Sequence, residues 1–290
     1  TATVPRPDRI PLSFAQQRMW FINQFDATSA SYNIPIALRL DGPLDVDALH
    51  AAVMDLIARH EVLRTTFPSV DGKACQVVAP MESVAAELDW QLARDEDAIT
   101  AAANVGFDVS VGFPIRIRVW QSAPDHHVVL FVIHHIAVDG QSMRPLVADL
   151  IAAYAARSTG VAPEFVPLPI QFADVALWQH RELGGPDDPG SVAAAQLDYW
   201  SHQLDGLPDV LGLPTAFGRP AVASLAGAVV EFAIPAGTAA AVQRLAGVHG
   251  VSEFMVVHAA LAVFLARMSS TGDIAIGTPV AGRGQRELDA

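Results

Sequence analysis

The stretch that most limits the fold is residues 115–157. "IRIRVW" (115–120) and "HHVVLFVIHH" (126–135) read as two strands separated by the turn "QSAPD", and "GQSMRPLVADLIAAYAAR" (140–157) follows as a helix. A strand pair feeding directly into a long helix requires a sheet with helices packed on it. The rest of the chain repeats the alternation. Ser13 is an N-cap candidate for a helix through Phe25 that sets Phe14, Arg18, Phe21, Ile22 and Phe25 at helical spacing. "IPIALRL" (34–40) alternates as a strand; after the turn "DGPLD", Leu44, Ala48, Leu49, Ala52, Val53, Leu56 and Ile57 form a helical stripe ending near His60. "VLRTTF" (62–67) and "KACQVVA" (73–79) suggest a hairpin across "PSVDG", "LDWQL" (88–92) a weaker strand, and residues 96–105 a helix. Pro163, Pro167 and Pro169 then interrupt regular structure, so a lobe boundary is placed there, with one lobe over 1–165 and a second over 166–290. Helices near 171–182, 191–204, 236–249 and 252–270 and strands "AVVEFAI" (228–234) and "DIAIGTPV" (273–280) fill the second. The fold class expected is mixed α/β or α+β.

The chain has 290 residues, 51% of them hydrophobic and 17% charged, which is enough to bury a large core. Its formal charge of −13 repels phosphate backbones and anionic lipid, so neither nucleic acid nor a membrane is the expected partner. Cys75 is the single cysteine, which rules out a disulfide within the chain, and no Cys/His spacing suggests zinc; a reducing cytoplasm fits best. The longest apolar stretch, Phe254 to Ala266, is too short for a membrane span, carries His258 and reads as a buried helix. No signal peptide is seen, and the start at Thr1 without methionine suggests a segment of a longer polypeptide or a processed product.

Chemistry concentrates in "FVIHHIAVDGQSM" (131–143). Alternation along a strand turns His134 and His135 to opposite sides, so at most one faces a given cavity. An isolated His-His reads as a packed histidine beside a solvent one, but here an Asp-Gly follows and opens a helix. Helix N-termini present unpaired N–H groups and a positive dipole end to developing negative charge. A histidine beside one supplies a base of near-neutral pKa and donors for an oxyanion, two needs of acyl transfer. Asp139 could be a cap, an ion-pair partner or a base, and beside glycine at a turn the cap is the commonest of these. His126 and His127 lack the Asp-Gly and read as exposed strand-edge residues; Trp20, Trp178 and Trp200 read as core anchors, and His258 as packed.

"HHIAVDG" (134–140) resembles the HHxxxDG signature of the condensation domains of nonribosomal peptide synthetases, whose fold is similar to chloramphenicol acetyltransferase. "SFAQQRMWFI" resembles the family's first motif, "RHEVLRTTF" (59–67) its second, "IQFADVALWQ" its fourth and "IGTPVAGRGQREL" the opening of its fifth, while "FDVSVGFPIRI" is similar to the segment before the signature. The matches run in family order from Pro11 to Leu288. Gln141 departs from the tryptophan many members carry, and "PTAFGRPAVAS" lacks the charged pattern common there. Members continue past the fifth motif with more of the second lobe, so the resemblance implies an incomplete domain.

The resemblance implies a two-lobed, V-shaped pseudo-dimer and an enzyme. The amine of an aminoacyl group on a downstream peptidyl carrier domain attacks the thioester of an acyl or peptidyl group on an upstream one, next to an adenylation domain. Both substrates arrive on 4'-phosphopantetheine arms through opposite mouths of a tunnel, with no cofactor or metal of the domain's own. It carries catalytic roles over to His135, as base or hydrogen-bonding group, and to Gly140, as close-approach residue and oxyanion donor. It carries structural roles over to His134, to Asp139 paired with Arg283, and to Arg64 near the site, for which a surface or core salt bridge is the alternative. The motif wording resembles the subtype joining an L-donor to an L-acceptor more than an epimerization domain. Two other readings stand: a stand-alone acyltransferase of the same fold acting on an alcohol or amine, and a non-catalytic domain that recruits partners.

Overall fold

The computed structural model describes residues 5–221, 228–280 and 282. In chain order the elements are β1 (Ile10–Pro11), α1 (Phe14–Phe25), β2 (Asn33–Asp41), α2 (Val46–Arg59), β3 (Thr65–Thr66), β4 (Ser69–Val70), β5 (Lys73–Val78), α3 (Met81–Glu87) and β6 (Asp89–Leu92). There follow α4 (Glu96–Ala103), β7 (Ile115–Ala123), β8 (His126–His134), α5 (Met143–Arg157), α6 (Phe172–Leu183), α7 (Val192–Gln203), α8 (Ala236–His249) and α9 (Glu253–Ser269). A first compact unit includes the chain up to Ala195, and a second spans Gln196–Val280.

In the first unit β8 is an inner strand of a four-stranded sheet ordered β2-β8-β7-β6, antiparallel except for β6 beside β7. Its side chains alternate between two cores. Val129, Phe131 and Ile133 pack with Leu49, Val53, Leu56 and Ile57 of α2 and Leu146 of α5. Leu130 and Val132 pack on the other side with Ile99 and Ala102 of α4, Phe107 and Val109. A strand covered on both faces must be apolar on both, which is why residues 128–133 form an unbroken run. Val53, Ile57, Val132 and Ile133 are fully buried, each contributing about 1.5–3 kcal/mol.

A smaller sheet is built on β5, which pairs with β1, β3 and β4. The β4–β5 hairpin turns through Asp71 and Gly72, both at positive φ (53° and 75°), as an Asp-Gly type I′ turn requires. The strand expected over 62–67 is only partly present. Glu61–Arg64 instead forms a 3₁₀ turn that drops Leu63 into the core, and only Thr65–Thr66 join the ladder.

The face that α1 buries is not the aromatic one suggested by its spacing. Phe21 and Phe25 are 58% and 77% exposed, while Gln16 and Asn23 are buried. Its inward stripe is polar and bonds to loop backbone: Trp20 Nε1 donates to the Phe67 carbonyl (2.7 Å) and Asn23 Nδ2 to that of Phe107 (2.8 Å). Such bonds satisfy groups whose burial would otherwise cost energy. The loop carrying Phe107 is held close by Gly106, where a Cβ would lie 2.4 Å from the Ala27 carbonyl oxygen. Gly106→Ala should therefore lower stability by about 1–3 kcal/mol, read as a lower urea midpoint; an unchanged midpoint would contradict this contact.

The proline-rich stretch before α6 does not detach it from the first unit. Arg6 pairs with Asp174 (2.8 Å) and Glu61 (2.7 Å), Gln171 bonds the Arg59 carbonyl and the Glu61 N–H, and Gln179 accepts from the Phe14 N–H. The stretch itself is gripped by Arg59, which donates to the Val166 carbonyl (2.6 Å) and lies over the Phe165 ring. The first compact unit, which runs to Ala195, therefore includes α6.

In the second unit α8 packs on α9. Residues 228–234 and 273–280, expected as strands, form none, because neither has a ladder partner among the described residues. The buried helix expected at 254–266 is exposed: Phe254, Met255, Val257, Leu261 and Phe264 all face solvent, and so does Trp200. Among the described residues no single helix is long and apolar enough to cross a membrane.

Candidate active site

The end of β8 delivers both histidines of the signature. His134 pairs with Asn33 of β2 and donates its N–H to the Pro114 carbonyl (2.9 Å); the His135 N–H donates to the Tyr32 carbonyl (2.8 Å). Strand alternation then separates the rings. That of His134 is sealed in, with the residue 1% exposed, near Tyr32 and Phe107. Its Nδ1 accepts from the Ile136 N–H (3.1 Å), which puts the ring proton on Nε2. Burial, reinforced by the charge of His135, pulls its pKa down to about 4.

A base whose folded pKa lies below its unfolded value near 6.5 stabilises the fold above that value and loses the contribution as pH falls toward about 4. Over that window the unfolded chain binds the extra proton, so acidification should remove about 3 kcal/mol on this account. His134→Asn keeps an acceptor near Nδ1 and cannot titrate. It should flatten the urea-measured stability profile between these limits, and an unaltered slope would refute the assignment.

His135 is only partly buried. Among the described residues its Nδ1 is enclosed without a hydrogen-bond partner, and no side chain bonds the ring. Among the described residues no carboxylate orients it as in a Ser-His-Asp triad.

The signature loop ends in a capped turn, and α5 begins at Met143, three residues after Gly140. Asp139 Oδ1 accepts from the Ser142 N–H (2.8 Å) and hydroxyl (2.6 Å), which closes the turn ahead of α5; the N-cap position of the helix itself is Ser142. Arg283, its expected ion-pair partner, lies outside the described residues. At Gly140 an added Cβ would meet nothing within 4 Å, and its φ is not in the left-handed region. The protein's own packing therefore does not demand glycine there; what it leaves is open space at the turn. Gln141 is exposed beside it.

Arg64 belongs to a different cluster. Its Nη1 donates to the Ala79 carbonyl (2.5 Å) and its Nη2 lies 3.7 Å from Glu61, within the network that holds α6. None of these partners is in the signature loop. His126 is exposed and pairs with Asp41, as expected, whereas His127 is 5% exposed: it shares the face of Val129 and Phe131, which the helices cover. Among the described residues no group of three or more His, Cys, Asp or Glu is placed to hold a metal ion.

Gln16, Tyr32 and Asn33 touch the signature segment and were not singled out from sequence. Gln16 alone left a sign, standing three residues after the Ser13 cap as in a capping box.

The family described as "Condensation domain" matches residues 7–290. The chain is 47% identical over 98% of its length to the isonitrile lipopeptide synthase of Mycobacterium tuberculosis and 43% over 98% to a dimodular nonribosomal peptide synthase of Bacillus subtilis. It spans 12% of the length of each. Among solved structures, the X-domain in complex with OxyB from teicoplanin biosynthesis matches with a TM-score of 0.81 at 36% identity, over 93% of this chain and 59% of that one. The α/β, chloramphenicol acetyltransferase-like fold expected from the motifs is thus the fold found. By matched motifs, fold and family profile, the chain belongs to the condensation domains of nonribosomal peptide synthetases.

Proposed function

We propose that this chain forms an amide between two carrier-bound substrates. The amine nitrogen of an aminoacyl group on a downstream carrier attacks the thioester carbon of an acyl or peptidyl group on an upstream carrier. The C–N bond forms, the C–S bond breaks, and the proton lost by the amine ends on the departing phosphopantetheine thiol. The observation carrying this reading is the contrast between a sealed His134 and a partly open His135 beside the space at Gly140. A partnerless imidazole can take the amine proton or hydrogen-bond the tetrahedral intermediate. A thioester is already activated, so positioning supplies much of the rate. Gly140 leaves room for the acyl group and offers its N–H to the oxyanion. Asp139 holds the turn, and Arg64 supports the site indirectly through the fold.

The carriers and a neighbouring adenylation domain are the partners this reading needs, in the cytoplasm, with L-configured donor and acceptor as the motif wording suggests. A second reading, recruitment without catalysis, draws on the resemblance to an X-domain solved in complex with OxyB. Full-length protein mixed with a donor-loaded and an acceptor-loaded carrier separates the two. The proposal expects the downstream carrier to gain the acyl mass as an amide, faster with an L- than a D-donor. Two unchanged carriers would favour recruitment, and transfer to a free alcohol or amine would favour a stand-alone acyltransferase.

A further inference from the structure

We infer that Gln16 is a positioning residue for His135, acting through the backbone of the signature loop; this rests on the functional reading above. Among the described residues no side chain orients the His135 ring. The ring can then point no more accurately than its backbone is held. Among the described residues that backbone is held by the His135 N–H to the Tyr32 carbonyl (2.8 Å), the Ile136 N–H to His134 Nδ1 (3.1 Å), the Ala137 N–H to the His134 carbonyl (3.0 Å), and the Ile136 carbonyl, which accepts from Gln16 Nε2 (3.3 Å). The last is made by a side chain of another element and joins α1 to the loop.

Gln16 is built for this. It is 2% exposed, and its Oε1 is already engaged by the Ser13 N–H (3.0 Å), while the Ser13 hydroxyl accepts from the Gln16 N–H (3.2 Å). The capping box fixes the amide from one side, so its Nε2 can face only a narrow set of positions, and the Ile136 carbonyl occupies one. The N-terminus of α1 is in turn tied to α6, where Gln179 accepts from the Phe14 N–H (2.9 Å) and His180 Nε2 bonds the Leu12 carbonyl (2.8 Å). A buried amide with both ends in use commonly serves structure alone; the partner's place next to His135 gives this one a catalytic consequence. Misplacing a reacting group by about 1 Å can cost a hundred-fold in rate.

The test is a double-mutant cycle on the full-length protein, reading single-turnover amide formation between loaded carriers. Gln16→Met removes the clamp. It should slow transfer about ten- to a hundred-fold while half-saturation by the donor carrier stays within two-fold. In a His135→Ala background the same change should slow transfer less than about two-fold further, since the group it aims is gone. Asp45→Ala breaks the cap of α2, where Asp45 Oδ1 accepts from the Ala48 N–H (2.9 Å), and leaves Gln16 and its partners untouched, so it should lower the melting temperature and leave the rate near wild type. Gln16→Glu keeps the capping acceptor and stands in should the methionine variant not fold; it should show the same rate loss. Wild-type rates in a folded Gln16 variant while His135→Ala is slow, or an equal Gln16 effect with and without His135, would overturn the clamp alone. A wild-type rate in His135→Ala would sink the functional reading beneath it.

Discussion

Replacing His135 by alanine should slow amide formation by about 10²- to 10⁴-fold, the range for losing a positioned acid–base group, without lowering stability. The second half of that expectation is the more diagnostic. A buried polar atom without a partner costs about 1–3 kcal/mol, and His135 Nδ1 is such an atom among the described residues. Removing the ring relieves that cost and takes away no bond, so the variant should melt at or above the wild-type temperature. Such an exchange of stability for function marks a residue kept for what it does. If the ring acts on the reacting atoms, as proposed, the loss should fall on kcat with KM little changed. A drop of less than three-fold, or a sharp fall in stability, would assign the ring to packing.

The largest expected effect on folding belongs to Arg116. It is 8% exposed, pairs with Asp89 (2.7 Å), lies over the Phe107 ring (4.5 Å) and donates to the carbonyls of Ala102, Val105 and Gly106 at 3.0, 2.9 and 3.2 Å. Burial alone would raise the Asp89 carboxyl, but the guanidinium groups of Arg118 and Arg116 outweigh it and hold it below the usual range. Arg116→Ala strips one cation from Asp89 and strands three carbonyls where β7 meets the loop after α4. Asp89 is partly exposed and keeps Arg118, so the loss comes chiefly from the three stranded carbonyls, at about 1 kcal/mol or more each, and urea denaturation should show a loss of about 3 kcal/mol. Less than about 1 kcal/mol would mean that solvent takes over the three carbonyls. Activity should fall with it, since the same loop sets Phe107 against His134.

What the sequence made legible follows from how local each cause is. The unbroken apolar run of β8 and the alternation that splits His134 from His135 are consequences of strand geometry, readable from a dozen residues. The turn closed by Asp139 on Ser142 is equally local, though the helix itself starts later, with Ser142 at its N-cap. The inward face of α1 was not readable, because period alone marks Phe21 and Phe25 as the buried side; which face turns inward depends on carbonyls offered by loops at Phe67, Phe107 and Ile136, far along the chain. His127 misled for a similar reason: a histidine after a turn looks exposed until the sheet order makes its strand an inner one. The prolines at 163–169 look like a boundary, yet Arg6, Arg59 and Gln171 reach across them with bonds that no spacing rule anticipates.

The central claim is that adjacent imidazoles face different worlds, one closed and one open to substrate. Diethyl pyrocarbonate acylates accessible neutral histidines, and fragment-ion mass spectrometry can assign the adduct to either residue of the pair. In the native protein His135 should be modified early, with loss of amide formation tracking its adduct, while His134 stays unmodified until the fold is disrupted. Early modification of His134, or full activity with His135 acylated, would contradict the account.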